Sequence, residues 1–194
     1  MARIGVLALQ GDFAEHRTAL KKLGVESLEV RLPAQLDGLD GLIIPGGEST
    51  TIARLMDIYE IREPLRQRAG AGLAVWGTCA GMILMAKHLE EDVPEPLDLM
   101  NIRVRRNAYG RQVDSFETDL WIPELNDPFF RCVFIRAPKI EVVGEGVEVL
   151  GTDVGGGVVA VRQNKLLATA FHPELTSDTR FHQYFVTIAE APSP

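Results

Sequence analysis

Leu73-Ala74-Val75-Trp76-Gly77-Thr78-Cys79-Ala80-Gly81 is the stretch on which the fold turns. Four apolar residues in succession suit a short strand buried on both faces, and the small residues after them suit a sharp turn into a helix. Gly77 and Gly81 stand two residues either side of Cys79. This is the small-x-nucleophile-x-small form of a nucleophile elbow. Such a corner presents one side chain on a strained turn, and its glycines remove the clash that a Cβ would cause. The helix N-terminus then favours a thiolate. The backbone N–H of Ala80 points into the same space and can stabilise an oxyanion.

Outward from this corner the alternation of strand and helix repeats. Residues 4–9 form an apolar run, and Asp12 followed by Glu15 resembles a capping box for a helix that Gly24 stops. Strands are expected at 27–32 and 41–44, the latter ended by Pro45-Gly46-Gly47. Ser49, Thr50 or Thr51 can cap the next helix, residues 64–69 continue as helix, and the helix after Cys79 is expected over 82–89. Strands alternating with helices imply a parallel sheet covered on both faces. The second half differs. Strand-like runs at 102–105, 113–120, 133–136, 147–151, 158–163 and 166–170 are separated by Gly, Asn, Asp and Pro, so antiparallel additions are expected. A last helix over 179–190 and a frayed tail complete the chain. With no repeat and no linker, residues 1–194 read as one domain.

Composition narrows the function classes. The chain has 194 residues, 46% hydrophobic and 24% charged, and a formal net charge of −7 with no basic run. Nucleic acid is an unexpected partner, because phosphate binding draws on clustered Lys and Arg. No apolar run approaches the roughly 20 residues of a membrane helix. The run at 4–9 is too short for an export signal, so no membrane role and a cytoplasmic location are expected. The two cysteines, Cys79 and Cys132, are then expected as thiols. Cys132 sits in a strand-like run and reads as a core residue. No Cys/His set has zinc spacing, so no metal is expected.

A cysteine nucleophile needs a base. Of four histidines, His16, His88 and His182 fall on expected helices amid polar residues and read as solvated. His172 differs. It follows the apolar run 166–171, at the C-terminal end of a strand, where open parallel sheets bind ligands. Glu174 is two residues on, and positions i and i+2 share a face in extended chain. One carboxylate can therefore orient the imidazole while the other ring nitrogen serves Cys79. Gly46-Gly47-Glu48-Ser49 forms a third corner at a strand end, a source of backbone amides for a substrate carbonyl or carboxylate. It lacks the Lys of a phosphate loop.

At these residues the sequence resembles the class I (triad) glutamine amidotransferases. Within them, Ile4-Gly5-Val6-Leu7-Ala8-Leu9-Gln10-Gly11, Pro45-Gly46-Gly47-Glu48-Ser49-Thr50-Thr51, residues 77–81, 106–112, 134–138 and 171–176 resemble the glutaminase subunits of pyridoxal 5′-phosphate synthase. The resemblance implies a flavodoxin-like three-layer α/β sandwich with a mostly parallel central sheet. It implies hydrolysis of L-glutamine to glutamate and ammonia, with Cys79 as nucleophile, His172 as general base and acid, and Glu174 as its orienter. Gly47, Glu48 and Ser49 would bind glutamine, with Arg106, Ile135 and Arg136 completing the pocket. The N–H groups of Ala80 and Gly46 would form the oxyanion hole. Arg106 or Arg136 suits the α-carboxylate, and Glu48 the α-ammonium. No cofactor is implied for this step. The implied partner is a separate synthase chain that receives the ammonia for vitamin B6 synthesis. A glutaminase for another acceptor, such as imidazole glycerol phosphate synthase, is the alternative, and a module with a vestigial triad is the non-enzymatic one.

Overall fold

The computed structural model describes residues 2–106, 115–125, 127 and 129–192. Its core is a ten-stranded sheet. On one side lie five parallel strands in the order β2 (Ser27–Val30), β1 (Ile4–Leu7), β3 (Gly41–Ile44), β4 (Ala74–Thr78) and β12 (Leu166–Thr169). β1, β3 and β4 are buried along their whole length, as continuous apolar runs require when helices cover both faces. The chain moves one way from β1 to β2 and the other way from β1 to β3. The crevice at that reversal, at the C-terminal strand ends, is where doubly wound sheets bind ligands.

Antiparallel strands extend the sheet from β12 through β11 (Val158–Gln163) and β9 (Lys139–Val143) to β6 (Met100–Arg105), which pairs in parallel with β5 (Ala86–Leu89). β10 (Glu148–Thr152) pairs β11, and β7 (Ser115–Trp121) with β8 (Phe129–Ile135) forms a separate two-stranded sheet. Helices α1 (Phe13–Lys22) and α5 (Arg180–Glu190) pack together against the parallel strands. α2 (Ser49–Ile58) packs on α4 (Ala80–Met85), which lies against β3, β4 and β12, while α3 (Arg62–Gly70) leads into β4. This is the expected α/β sandwich: a mostly parallel sheet with antiparallel additions. No helix among the described residues is long and apolar enough to cross a membrane.

Four local expectations change. The helix after Cys79 ends at Met85, because residues 86–89 pair with β6 as a strand. His88 is therefore an exposed strand residue. β9 lacks a clean apolar alternation, which hid it in the sequence. Asp12 precedes α1 but its side chain caps nothing there. Instead its carboxylate stands 3.5 Å from Nδ1 of His172. The cap of α2 is Glu48 rather than Ser49, Thr50 or Thr51, its carboxylate accepting from the N–H groups of Thr50 at 3.3 Å and Thr51 at 2.8 Å. Its two oxygens reach both donors, which a shorter hydroxyl cannot do.

Candidate active site

β4 and β12 are adjacent and in register, with Thr78 opposite Thr169. Cys79 follows the first and His172 lies three residues beyond the second, so one ladder carries both corners to the same edge. The register is pinned by a bond from Cys79 N–H to the Thr169 carbonyl at 2.8 Å and by Trp76 Nε1 donating to Thr169 Oγ1 at 3.2 Å.

Cys79 has φ 48° and ψ −102°, in the left-handed half of the map. A non-glycine residue held there costs on the order of 1–3 kcal/mol, which surrounding packing must offset. That packing is tight. A Cβ on Gly77 would lie 2.4 Å from the Gly81 carbonyl carbon, and one on Gly81 only 2.0 Å from the Ile44 carbonyl oxygen. Both glycines of the elbow are therefore required by backbone approach. Cys79 is 7% exposed, its sulfur lies 3.9 Å from the Ile135 carbonyl oxygen, and it faces the same cleft as His172.

His172 is held from three sides. His172 N–H donates to the Val133 carbonyl of β8 at 2.8 Å. Its Nδ1 lies 2.7 Å from Glu174 Oε1, leaving Nε2 for the sulfur. The 172–174 geometry is not the extended one expected, because Pro173–Leu175 is a 3₁₀ turn. The turn still brings the carboxylate under the ring. Burial would push the imidazole pKa down. Hydrogen bonds with Asp12, Cys79 and Glu174 outweigh that and hold it up at about 12. Glu174 is buried, and burial pushes its pKa up against the pull of His172. The third corner closes on the ring: a Cβ on Gly46 would lie 2.3 Å from His172 Cε1. The Gly46 carbonyl accepts from Asp12 N–H at 3.1 Å.

In front of Cys79 and His172 lies a cleft of about 410 Å³. Gly47, Glu48, Ser49, Arg106, Ile135 and Arg136 all line it, as do Ala80, Gln10 and Asp12. Glu48 is a carboxylate at neutral pH. Burial raises its pKa, but the bonds from Thr50 and Thr51 together outweigh that and bring it down to about 2. Its Oε1 is 3.3 Å from Arg106 Nη2, whose other terminal nitrogen donates to the Val93 carbonyl at 2.8 Å. Arg136 is exposed, has φ 43°, and makes no hydrogen bond or ion pair with a described residue. The 107–112 part of the 106–112 run lies outside the described residues. Glu174 and Gly46 stand behind the ring rather than in the cleft. Donor atoms of Asp12, His172 and Glu174 fall within 4.8 Å of one another, a spacing a metal could use, although Nδ1 is already engaged by Glu174.

A family model described as the SNO glutamine amidotransferase family matches residues 6–191. The chain belongs to this family. Among curated relatives of this SNO-family chain, one from Herpetosiphon aurantiacus named pyridoxal 5′-phosphate synthase subunit PdxT is 59% identical over 94% of this chain and 98% of its own. Another of the same name from Chloroflexus aurantiacus is 54% identical over 95% and 99%. A solved structure described as a glutamine amidotransferase superposes with a TM-score of 0.92 at 52% identity, covering 97% of this chain and 99% of that one.

Three residues at the site of this SNO-family protein escaped sequence reasoning. Asp12 read as a cap and stands 3.5 Å from His172. His16 and His182 read as solvated and are wholly buried behind Glu174. Helix periodicity held the missing signal. His16, Ala19 and Leu20 form one buried stripe of α1, and His182 lies on the stripe of Phe185 and Val186 in α5. Cys132, by contrast, is the buried core residue expected, its thiol pKa pushed up by burial.

Proposed function

We propose that the chain, as one domain over residues 1–194, is the cytoplasmic glutaminase of a pyridoxal 5′-phosphate synthase. The observation that carries this reading is Cys79, held at positive φ on the elbow and sharing one cleft with a His172 whose Nδ1 lies 2.7 Å from Glu174. The names shared by the relatives support this acceptor over imidazole glycerol phosphate synthase.

The chemistry is acyl transfer. The Cys79 thiolate attacks the side-chain carbonyl of glutamine, and a tetrahedral oxyanion forms. The N–H of Ala80 at the start of α4 donates to it; Gly46, which stands behind the His172 ring rather than in the cleft, is not placed to supply the second donor. His172 Nε2–H protonates the departing ammonia, leaving a glutamyl thioester. The neutral imidazole then takes a proton from water, hydroxide displaces the thiolate, and glutamate leaves. Glu174 holds Nδ1–H throughout. Arg136, which makes no hydrogen bond or ion pair with a described residue, grips the α-carboxylate, and Glu48, anchored by Arg106, faces the α-ammonium. Gly47, Ser49 and Ile135 shape the pocket.

Ammonia passes to a separate synthase chain, which avoids its protonation and loss in bulk water. No cofactor, metal, nucleic acid or membrane takes part in this step. The test is ammonia release from glutamine with the synthase subunit of pyridoxal 5′-phosphate synthase present. Wild type should be active and Cys79→Ala inactive. Equal activity of the two would overturn the reading, and activation by the imidazole glycerol phosphate synthase partner alone would change the acceptor.

A further inference from the structure

Behind Glu174 runs a second set of polar groups that acyl transfer does not use. Glu174 Oε1 serves His172, but Oε2 is buried and makes no hydrogen bond. His16 Nε2 stands 3.4 Å from it and 3.1 Å from Thr78 Oγ1. His16 Nδ1 lies 3.0 Å from His182 Nε2, and His182 Nδ1 is buried without a partner. Trp76 packs edge-on to both rings, at 5.6 Å and 5.0 Å. The set is thus continuous from the elbow strand to α5 and sealed from water.

Only two arrangements of protons fit two neutral rings here. In one, His182 Nε2–H donates to His16 Nδ1, and His16 Nε2–H faces Glu174 and Thr78. In the other, His16 donates to His182. That second arrangement aims the lone pair of His16 Nε2 at a carboxylate oxygen and strands a buried N–H on His182. The first leaves only a lone pair unmatched, the lesser cost in a dry interior. We propose that His16 is a positioning residue for the triad: its Nε2–H, 3.4 Å from the second oxygen of Glu174, is the dipole that steadies that otherwise unbonded atom, and His182 fixes the tautomer that makes this possible. This deepens the thiol glutaminase reading and rests on it.

Neutrality of both rings follows from their surroundings. His16 faces His182 from α5, Glu174 and His172 from the last turn, and the Thr78 hydroxyl from β4. Burial, then His182, then His172 hold its pKa well down. Burial, with Lys22 of α1 adding to it, brings His182 down to about 3. Glu174 faces His172, His16 and Asp12, and burial disfavours its charge. A neutral N–H donor offsets that penalty without bringing in a competing cation.

Two measurements test the proposal. In the intact protein, ring ¹⁵N shifts should show His16 and His182 neutral with hydrogen on Nε2 from about pH 6 to 9, their lowered pKa values lying beneath that window. An Nδ1–H tautomer at His16, or titration there, would overturn it. In the complex with the synthase subunit, His16→Leu should lower kcat about tenfold, the loss of a buried N–H dipole facing a charged group, with KM little changed. Its pH profile should narrow from both sides, because Glu174 takes a proton sooner and His172 gives one up sooner. His16→Gln, whose amide can replace Nε2–H, should recover most of the rate. Equal loss in both variants, or unmoved pH limits, refutes the positioning role even while Cys79→Ala is dead. Cys79→Ala retaining full activity would instead refute the glutaminase reading. Should neither His16 variant fold, the tautomers in the wild-type protein decide.

Discussion

Nδ1 of His172 and Oε1 of Glu174 stand 2.7 Å apart, with the carboxylate side chain wholly shielded from water. A neutral amide at this position leaves the ring free to choose the wrong tautomer. Glu174→Gln should lower ammonia release about 10²- to 10³-fold, somewhat less than removal of an orienting carboxylate costs elsewhere. The loss is moderated because Asp12 Oδ2 remains 3.5 Å from the same nitrogen. Adding Asp12→Asn should deepen it, and steady-state kinetics of both variants with the synthase subunit will read the difference.

The raised pKa of His172 sets a pH dependence of stability. A group whose folded pKa, here about 12, exceeds its ordinary value of 6.5 stabilises the fold fully below 6.5. That contribution fades as pH rises from there toward the folded value. The gap in urea midpoint between wild type and His172→Asn should therefore shrink steadily between about pH 7 and 10. A constant gap would mean that the imidazole is not the charged partner of the site.

Glu48 has the opposite sign. Its folded pKa of about 2 lies below the ordinary carboxylate value of 4.5. Its contribution is present above 4.5 and is lost as pH falls toward 2. Glu48→Ala should destabilise the protein by about 1 kcal/mol at neutral pH through loss of the α2 cap. It should also raise KM for glutamine, because Arg106 loses its anchor at 3.3 Å. Thermal unfolding at pH 7 and pH 3 should show a smaller stability difference at the lower value.

Two glycine substitutions should fail in different ways. Gly81→Ala sets a methyl group 2.0 Å from a backbone oxygen of β3, which cannot rotate away, and should abolish soluble expression. Gly46→Ala meets the His172 ring at 2.3 Å, and a ring can move. It should fold, with a melting temperature within a few degrees of wild type, and lose activity. Circular dichroism beside an ammonia assay separates the two outcomes.

Arg136→Ala should raise KM for glutamine by about tenfold or more with a smaller change in kcat, as expected when a charge-assisted bond to substrate alone is removed. Arg136→Lys should recover only part, since the fork that grips a carboxylate is lost.

Much of this was legible in the sequence because the decisive signals are local. Gly77 and Gly81 announce the elbow wherever the rest of the chain goes, and the apolar runs at 41–44 and 73–76 can only be interior strands. His172 announced itself by its place at a strand end. What stayed hidden depends on partners far along the chain. Asp12 looks like a helix cap until His172 is beside it. His16 lies between Glu15 and Arg17 and passes for solvated until α5 brings His182 against it. The change from α4 to β5 at Ala86 likewise depends on pairing with β6. The 107–112 run, though specific in sequence, lies outside the described residues.

The order in which the ladder is filled has a consequence for the chain during synthesis. β4 carries the thiol, but its neighbour β12 is the last strand to be made. Until that strand slots between β4 and β11, Cys79 has neither His172 nor the Thr169 carbonyl that pins the elbow. A nascent chain therefore carries the thiol without the imidazole proposed to activate it, and the two meet only once the sheet is closed around them. Chains arrested on the ribosome before Leu166 should alkylate slowly at Cys79, and released chains quickly.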